Sequence, residues 1–370
     1  MSDQTSFRGD PGHTIPRSSA GVAFGYDART LHVGPHITLR LHTRAALICA
    51  ALLIVGLACA VFAIHLGDLP LTPRQVLEVF LGGGSDFERR VVLEWRLPVA
   101  IAALIYGALL AAGGGIFQSL TRNPLGSPDV IGFDAGSYTA VVITILFLGN
   151  SSYWSVATAA IVGGLLTALL VYALAWRRGM QGFRLIVVGI GVSAILGSIN
   201  AYLITRADTH DGMAVGFWGA GSLTRVGWHS LGPSLVIAVL LFAAAYALSP
   251  ALRQLELGDD AAMAQGVTIG RSRLALIVVG VATSALVTAA AGPIGFVALA
   301  APQLARRLVR SPGVSLGPAA CMGAALLAAA HLLSLVIARA FQPVPVGLIT
   351  VCLGGIYLIW LLIRETRTSS

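Results

Sequence analysis

Residues that could carry covalent or nucleotide chemistry are sparse in this sequence. All 24 basic residues are arginines, and lysine is absent. Since a P-loop needs a lysine to reach the phosphates of a nucleotide, the chain is not a P-loop ATPase, and Schiff-base catalysis through lysine is excluded as well. No catalytic site is predicted. The cysteines lie in apolar runs without metal-ligand spacing and are interpreted as small core residues: Cys49, Cys59, Cys321 and Cys352.

Helix-breaking residues leave backbone N–H and C=O groups without helical partners. Such polar groups can line a path between helices. A polar string runs from Gln118 through Asn123 and Pro124 to Pro128, between apolar segments. At membrane depth such backbone is tolerated only where protein or water surrounds it. The string is predicted to lie along a translocation path, with a simple turn between helices as the alternative. Two later strings carry helix breakers too: Gly292, Pro293, Gly295 and Pro302, then Pro345 and Gly347.

Residues 253–273 form a polar connection between two apolar segments. Asp259 and Asp260 are predicted to begin a short helix there, since carboxylates stabilise a helix N-terminus. Gly266 is predicted to end this helix as the residue just past its last turn. A short rigid helix in such a loop is either a docking element for a partner or an ordinary capped surface helix, and the residues alone do not decide between the two.

Few ionisable side chains fall within the apolar segments. His331 lies deep in one of them, where an ionisable residue is a functional hypothesis by default. The interpretation preferred here is a neutral histidine hydrogen-bonded among helices. Asp134 lies near a helix start and is expected to cap that helix. No carboxylate relay is visible, so proton or ion coupling lacks the residues that usually support it.

The elements that must position these residues are transmembrane helices. Of the 370 residues, 56% are apolar and only 11% are charged, and the mean hydropathy is +0.83. Soluble domains carry about 25% charged residues, so the charges here are too few to cover a water-soluble globule of 38.3 kDa. The predicted fold class is an all-α polytopic membrane protein.

Ten apolar segments are predicted to cross the membrane, which takes about 20 residues per helix. The eighth segment is short, and Pro293 separates it from the seventh. Residues 1–43 are polar and are predicted to be a disordered cytosolic tail, followed by a ten-helix transmembrane domain over residues 44–370. The predicted spans are 45–66, 97–119, 131–149, 155–176, 185–205, 230–249, 274–291, 293–305, 316–338 and 347–363.

The distribution of arginines sets the orientation of these spans. With the N-terminus in the cytosol, 17 of the 24 arginines lie on the cytosolic side and seven lie outside. Cytosolic loops carry an excess of basic residues, so this arrangement is favoured. It places both termini and the 253–273 loop in the cytosol.

Two outer segments are predicted to hold short helices. Residues 74–81 are amphipathic, with Thr72 as the N-cap and Gly82 as the stop. The stretch from Met213 to Ala220 is apolar and bounded by glycines. It is expected to form a half-helix at the outer mouth.

Three strings together resemble a known family. Trp95-Arg96-Leu97-Pro98 opens the second span, Arg122-Asn123-Pro124-Leu125 follows it, and Gly292-Pro293-Ile294-Gly295-Phe296 precedes the eighth. They are similar to the FecCD-type permeases of ABC importers, the family of iron–siderophore and cobalamin permeases. The similarity runs from about Trp95 to the C-terminus. The form RNPLGSPDVIGF looks closest to permeases for catecholate siderophores of the ferric-enterobactin kind.

The resemblance implies a fold, partners and residue roles. The fold would be a cobalamin-permease-like bundle in which two permease chains surround a central path. Two ATPase subunits would lie below and an extracytoplasmic siderophore-binding protein above. ATP and magnesium would bind the ATPase, so this chain would hold no cofactor and no metal. The resemblance also implies that loop 253–273 couples to the ATPase, through Leu257, Gly258, Asp259, Asp260, Ala261 and Gly266.

Two outer arginines are implied to dock the binding protein. In the cobalamin branch of the family, external arginines pair with glutamates on the two lobes of that protein, and Arg96 and Arg339 match such positions. The alternative for Arg96 is a helix-end anchor that reaches the lipid headgroups. The chain departs from the family pattern at Val99, Gln303 and Val344, where members often carry arginine, histidine and glutamate. The valine at 99 puts one docking contact in doubt.

The predicted function is that of a permease subunit, not an enzyme, which moves a ferric siderophore across the cytoplasmic membrane by ATP-driven alternating access. The alternatives are an ion-coupled secondary transporter and an ABC permease for haem or cobalamin. A selective channel would need a repeated filter motif, which is not seen. The expected partners are a second permease, a paralogue rather than an identical copy, together with membrane lipid and no nucleic acid. The sequence leaves open the exact substrate, the permease pairing, the role of the tail and the role of His331.

Overall fold

The chain divides into two units, Met1–Ala46 and Leu47–Ser370. In this computed structural model the described part of the second unit consists of helices and their connections, whereas the first unit also carries two strands. The structure describes residues 28–32, 38–67, 69–175 and 182–368.

The first unit contains a small antiparallel pair. Strand β1 spans Ala28–His32 and strand β2 spans Thr38–His42, with Thr30 opposite Arg40. Both strands fall within the segment predicted to be a disordered tail. The other residues of that segment before Thr38 lie outside the described ranges, so the prediction for the tail as a whole stays a prediction.

Helices account for most of the remaining described residues. A π-helical turn over Arg90–Arg96 joins two of them without a break, and a 3-10 turn covers Leu223–Arg225. The helices are α1 Thr43–His65, α2 Pro73–Phe80, α3 Asp86–Arg89, α4 Leu97–Thr121, α5 Phe133–Leu146, α6 Tyr153–Ala175, α7 Gly182–Arg206, α8 Thr209–Gly219, α9 Trp228–Glu256, α10 Asp259–Ala264, α11 Ile269–Ala291, α12 Val297–Val309, α13 Leu316–Ala340 and α14 Val346–Thr368.

Seven helices in the described ranges are long and apolar enough to cross a membrane. They are α1, the continuous helix that includes α3 and α4, and α6, α7, α9, α11 and α13. The three other predicted spans coincide with shorter elements: α5, α12 and the apolar part of α14. The chain is therefore a multi-pass membrane protein, while the number of ten spans stays a prediction.

Local sequence explains several helix ends. The Thr72 hydroxyl accepts a hydrogen bond from the Gln75 N–H at 3.3 Å, and the Gln75 side chain accepts one from the Thr72 N–H at 2.9 Å. This capping box confirms the predicted start of α2. A second capping box of Ser85 and Glu88 begins α3. The π-helical turn continues α3 into α4, so this helix begins at Asp86, before the predicted start of the second span at residue 97.

The α4 helix lies at the centre of the bundle and packs against α9, α11, α12 and α13. Against α13 the two backbones approach closely, because a Cβ on Gly107 would overlap the carbonyl oxygen of Gly323, and the reverse is also true. Small residues at helix interfaces are the common means of close packing in membranes. The largest buried side chains around this contact include Tyr106, Leu109 and Leu231.

A second core joins the other half of α4 to α5, α6, α7 and the inner part of α11. Phe117 and Phe133 lie 5.3 Å apart between ring centroids at its middle. Two glycines of facing helices, Gly136 of α5 and Gly163 of α6, make the same kind of close approach as in the first core. The break between α4 and α5 is thus held by packing on both sides.

Candidate functional site

Gln118, in the last turns of α4, is tied to α12 by buried amide hydrogen bonds. Its Nε2 donates to the Leu299 carbonyl oxygen at 2.8 Å, and Gln303 Nε2 donates to Gln118 Oε1 at 2.8 Å. Both glutamines are less than 10% exposed. The tie fixes the end of α4 against the helix that follows the second break, so two of the predicted strings meet here.

The break after α4 is built by its own residues. Arg122 ends the helix in the left-handed region at φ 50°, and the Asn123 side chain accepts a hydrogen bond from the Leu125 N–H at 2.9 Å. Pro124 and Pro128 prevent the helix from continuing. The backbone then makes one further turn before α5 begins at Phe133.

Asp129 joins this break to the second one. Its Oδ2 accepts a hydrogen bond from the Phe296 N–H at 2.9 Å, and Phe296 holds a left-handed φ of 68° at the start of α12. Gly295 lies beside the same oxygen, at 3.8 Å from the position that a Cβ would take. The sequence prediction missed Asp129; its only signal was a carboxylate directly after a helix-breaking proline.

Asp134 does not cap a helix, so the sequence expectation for it is wrong. Gly132 occupies the N-cap of α5, and Asp134 points instead at α11. The Ser284 hydroxyl donates to Asp134 Oδ1 at 2.9 Å and the Thr288 hydroxyl donates at 3.2 Å. The helices therefore do contain a buried carboxylate. The sequence argument against ion coupling relied on the lack of such a group, and it no longer holds.

The remaining helix-break glycines converge at the other end of α11. The Ser222 N–H donates to the Ala291 carbonyl at 2.7 Å, and the Gly347 N–H donates to the Gly221 carbonyl at 3.0 Å. A Cβ on Gly292 would overlap the Trp218 carbonyl oxygen. Backbone packs on backbone here, with no room for side chains. Pro293 and Pro345 flank this cluster, while Pro302 is buried within α12.

The 253–273 loop contains the predicted short helix. Asp259 and Asp260 begin α10, and Gly258 precedes it with φ 119°. At its other end the Gly266 N–H donates to the Met263 carbonyl at 2.9 Å and the Val267 N–H donates to the Ala262 carbonyl at 3.0 Å. This Schellman pattern, with Gly266 at φ 83°, confirms the predicted stop.

Two hydrophobic side chains of this loop lie in the open. Leu257 is 70% exposed and Met263 is 56% exposed. Leu257 precedes α10 and Met263 lies within it, so the two exposed side chains and the acidic start of the helix form one surface of mixed character. Ala261, the remaining residue predicted for ATPase contact, lies in the middle of α10.

Carboxylates at both sides of the α9–α10 turn reach the end of α4. Asp259 Oδ1 accepts hydrogen bonds from Arg122 at 2.8 Å and from Arg273 at 2.9 Å. Glu256 accepts hydrogen bonds from the Ser119 hydroxyl and from the Val314 N–H. The sequence prediction did not foresee these contacts, because Arg122 and Asp259 are 137 positions apart and a single sequence carries no pairing signal at that separation.

The two arginines predicted to dock a binding protein differ in their surroundings. Arg96 is half-buried and donates to the carbonyl oxygens of Ile64 at 2.9 Å and Leu69 at 2.6 Å. Arg96 thus holds the connection after α1. Neither of the two predicted roles, docking the binding protein or reaching the lipid headgroups, included this contact. Arg339 is exposed in the last turn of α13. Docking by either residue stays a prediction.

Within the described ranges, no group of three or more histidine, cysteine, aspartate or glutamate side chains lies together. His331 is 6% exposed in α13, which fits a residue packed inside the bundle. The hydrogen bond expected for it is not formed with any other described residue.

These features define a multi-pass helical membrane protein with two helix breaks, joined by Gln118 and Asp129, and a short helix held to one of them. The chain belongs to the FecCD transport family, whose model matches residues 52–364.

Curated relatives and a solved structure are similar over most of the chain. The ferric enterobactin transport system permease protein FepG of Escherichia coli K12 is 43% identical over 324 residues, covering 88% of this chain and 98% of FepG. The permease protein FepD of the same system and organism is 32% identical, covering 88% and 97%. A structure described as an inward-facing metal-chelate type ABC transporter is 26% identical with a TM-score of 0.74, covering 86% of this chain and 99% of that one.

Proposed function

We propose that this chain is the permease subunit of a binding-protein-dependent ABC importer for a ferric siderophore of the catecholate type. The observation that carries the proposal is the 43% identity to FepG over nearly the whole of both chains. The chain would act in the cytoplasmic membrane and hydrolyse no ATP itself, since nucleotide and magnesium would bind a separate ATPase subunit. It would hold no cofactor of its own.

The proposed topology has ten spans with both termini in the cytosol. Its support is that ten helices coincide with the ten predicted spans, including the three short ones. The arginine bias favours the same orientation. In this arrangement α10 faces the cytosol and the glycine cluster around Gly292 and Gly347 faces outward.

The second permease is proposed to be a paralogue. FepG and FepD are named as permease proteins of one ferric enterobactin system, and each is similar to this chain along almost its full length. Two ATPase subunits would complete the complex on the cytosolic side, and an extracytoplasmic siderophore-binding protein would dock outside. The exposed side chain of Arg339 suits such docking, because rim charges mainly raise the rate and orientation of encounter.

The proposed mechanism is alternating access. Docking of the loaded binding protein presents the chelate to the outer mouth. Nucleotide-driven closure of the ATPases moves α10, and the helices on either side of the breaks at 122–132 and 292–296 reorient. The breaks suit this role, because their backbone is held by few side-chain contacts such as those of Gln118 and Asp129 rather than by a continuous helix.

Uptake measurements test the proposal. The chain is co-expressed with its neighbouring permease, ATPase and binding-protein subunits in an uptake-deficient host, which is then given radiolabelled iron as a ferric catecholate. Uptake is expected to be sensitive to vanadate and to be lost when the Walker lysine of the ATPase subunit is replaced. A ferric hydroxamate in parallel tests the siderophore class.

Other outcomes point to the alternatives. Uptake that survives vanadate and collapses with a protonophore would overturn the ABC mechanism and favour an ion-coupled secondary transporter. Vanadate-sensitive uptake of haem or cobalamin without uptake of the ferric catecholate would keep the mechanism and replace the substrate.

A further inference from the structure

Asp259, the first residue of α10, lies between two arginines that come from different helices. Its Oδ1 is 2.8 Å from Arg122 Nη2 and 2.9 Å from Arg273 Nη2. The Arg273 side chain is only 9% exposed, whereas those of Arg122 and Asp259 are 48% and 42% exposed. Arg273 therefore anchors the carboxylate to α11, and Arg122 extends the cluster to α4. We name this set of three side chains the α4–α10 link.

Arg122 connects the α4–α10 link to the start of the helix break. Arg122 is the cap of α4, held in the left-handed region, and the next two residues are the Asn123 and Pro124 of the helix break. A displacement of its side chain therefore acts on the point where the helix ends and the irregular backbone starts. An arginine further inside α4 would act on backbone that is held by helical hydrogen bonds.

Glu256 provides a second contact between the same elements. It accepts hydrogen bonds from the Ser119 hydroxyl, one turn before Arg122, and from the Val314 N–H in the connection to α13. A Cβ on Gly313 would lie 2.5 Å from Glu256 Oε2, so the glycine leaves room for the carboxylate. The residues before and after the α9–α10 turn thus both hold the end of α4.

The contacts continue beyond the break. Asp129, seven residues after Arg122, binds the Phe296 N–H at the start of α12. The α10 helix, the break after α4 and the break before α12 are therefore connected by two polar contacts, Arg122 with Asp259 and Asp129 with the Phe296 N–H. Each contact is a discrete hydrogen bond that can form or break.

We propose that Arg122 is a positioning residue for transport, which transmits the movement of α10 to the helix break at 122–132 through its ion pair with Asp259. This inference rests on the proposed function, because it takes α10 as the helix that the ATPase moves. It adds that the movement reaches the path through one named side chain, rather than through the covalent connection of α10 to α9 and α11 alone.

The test follows the break directly and needs no transported substrate. Leu125, in the break, is 44% exposed, and a Leu125→Cys variant in a chain freed of its own cysteines reports on the break through its rate of maleimide labelling. The complex with its ATPases is labelled without nucleotide and after vanadate trapping. The labelling rate is expected to change between the two states. The change is expected to be lost in Arg122→Gln and Asp259→Asn, and kept in Arg310→Gln. Arg310 is a matched control, because it caps α12 in the left-handed region, is exposed and makes no ion pair with Asp259.

The coupling of hydrolysis to uptake gives a second readout. Because a partly exposed ion pair is worth at most about fivefold in an equilibrium, uptake per ATP hydrolysed is expected to fall about two- to fivefold in Arg122→Gln. The ATPase subunits should still co-purify and hydrolyse ATP at an unchanged rate. Arg122→Lys, which keeps the charge, should retain most of the coupling. The double variant Arg122→Gln/Asp259→Asn should be no worse than the worse single variant, since the two act as one pair.

Several outcomes would overturn the proposed role of Arg122. A labelling change that persists in Arg122→Gln, or losses that multiply in the double variant, would show that movement reaches the break by another route. An unmodified complex whose break shows no nucleotide-dependent labelling would overturn it as well, even where ferric uptake is normal. Failure of the proposed function looks different, because then the ATPase subunits do not co-purify with the chain, or labelling responds to nucleotide while no chelate is taken up.

Discussion

Asp134 illustrates what a single polar residue contributes inside this bundle. Two hydroxyls of α11, from Ser284 and Thr288, donate to one oxygen of its carboxylate. Burying a carboxylate is costly unless it is hydrogen-bonded. The buried Asp134 carboxylate therefore depends on the hydrogen bonds that the Ser284 and Thr288 hydroxyls donate to it. The contact fixes the start of α5, directly after the first break, against a helix that has no break.

Replacing this carboxylate is expected to destabilise the protein. In Asp134→Ala the two buried hydroxyls lose their acceptor, so the free energy of unfolding should fall by about 1–3 kcal/mol. Asp134→Asn keeps one acceptor oxygen and should lose less. Thermal unfolding in detergent measures the stability of both variants. Asp208→Ala is the control, because Asp208 is exposed and its side chain makes no capping hydrogen bond. Equal melting temperatures for Asp134→Ala and the control would contradict the role of the contact.

At the scale of elements, α14 holds the second break through the ring of Phe296. A Cβ on Gly354 would overlap this ring, and the Phe296 backbone is already in the left-handed region, which costs a non-glycine residue about 1–2 kcal/mol. Packing of the ring on α14 offsets this cost. The start of α12 therefore depends on a helix that follows it by about fifty residues in the chain.

Gly354→Ala is expected to disturb the second break, because the ring of Phe296 must move away from the added methyl group. Overpacking of this kind costs about 1–3 kcal/mol. The neighbouring Gly355→Ala is a matched control, since no atom lies within 4 Å of its added Cβ, and it should be neutral or slightly stabilising in a helix. Melting temperature and uptake are measured for both. Similar losses in the two variants would mean that helix α14, rather than the contact with Phe296, is sensitive.

Met263 of α10 and Leu257 just before this helix have exposed hydrophobic side chains that are available for contact with a partner. Leu257→Ala combined with Met263→Ala is expected to lower the amount of ATPase subunit that co-purifies, since buried interface side chains carry most of the binding energy. Met213→Ala in α8 is the control, because Met213 is equally exposed at 58% and lies on the predicted outer side. Unchanged co-purification would assign the ATPase contact to another segment.

Elements were predictable from the sequence where local chemistry decides them. Thr72 with Gln75, Gly266 after α10, and the proline at 293 each act within a few residues, and each marks a boundary correctly. The start of α8 was missed by four residues, because the polar residues from Thr209 onward are tolerated in an exposed helix. The partners of Gln118, Arg122 and Asp134 were not predictable, since they depend on how helices more than a hundred residues apart pack together.

At the scale of the whole molecule, the orientation of the bundle decides which surface meets which partner. The arginine bias predicts that α10 and the cap of α4 lie on one side of the membrane and the end of α13 on the other. The α4–α10 link and the glycine cluster then lie at opposite ends of α11, whose length of 23 residues separates them.

Labelling of cysteines from each side tests the orientation. In a chain freed of its own cysteines, Arg339→Cys should react with a membrane-impermeant maleimide in right-side-out vesicles. Gln265→Cys, just after α10 and exposed, should react only after the vesicles are permeabilised. Reaction of Gln265→Cys but not Arg339→Cys in sealed vesicles would invert the topology, and reaction of both would imply an even number of spans between them.

The backbone contacts of Gly221, Gly292 and Gly347 have a consequence for how such a protein can diverge. Main-chain atoms alone form this frame, and it leaves no space for side chains at the three positions. The shape of the frame therefore depends on main-chain contacts rather than on the size or charge of exposed side chains nearby, whereas neighbours such as Ile294 and Val346 are buried in the core. An exposed residue beside the frame can then be substituted without disturbing the main-chain contacts that hold it.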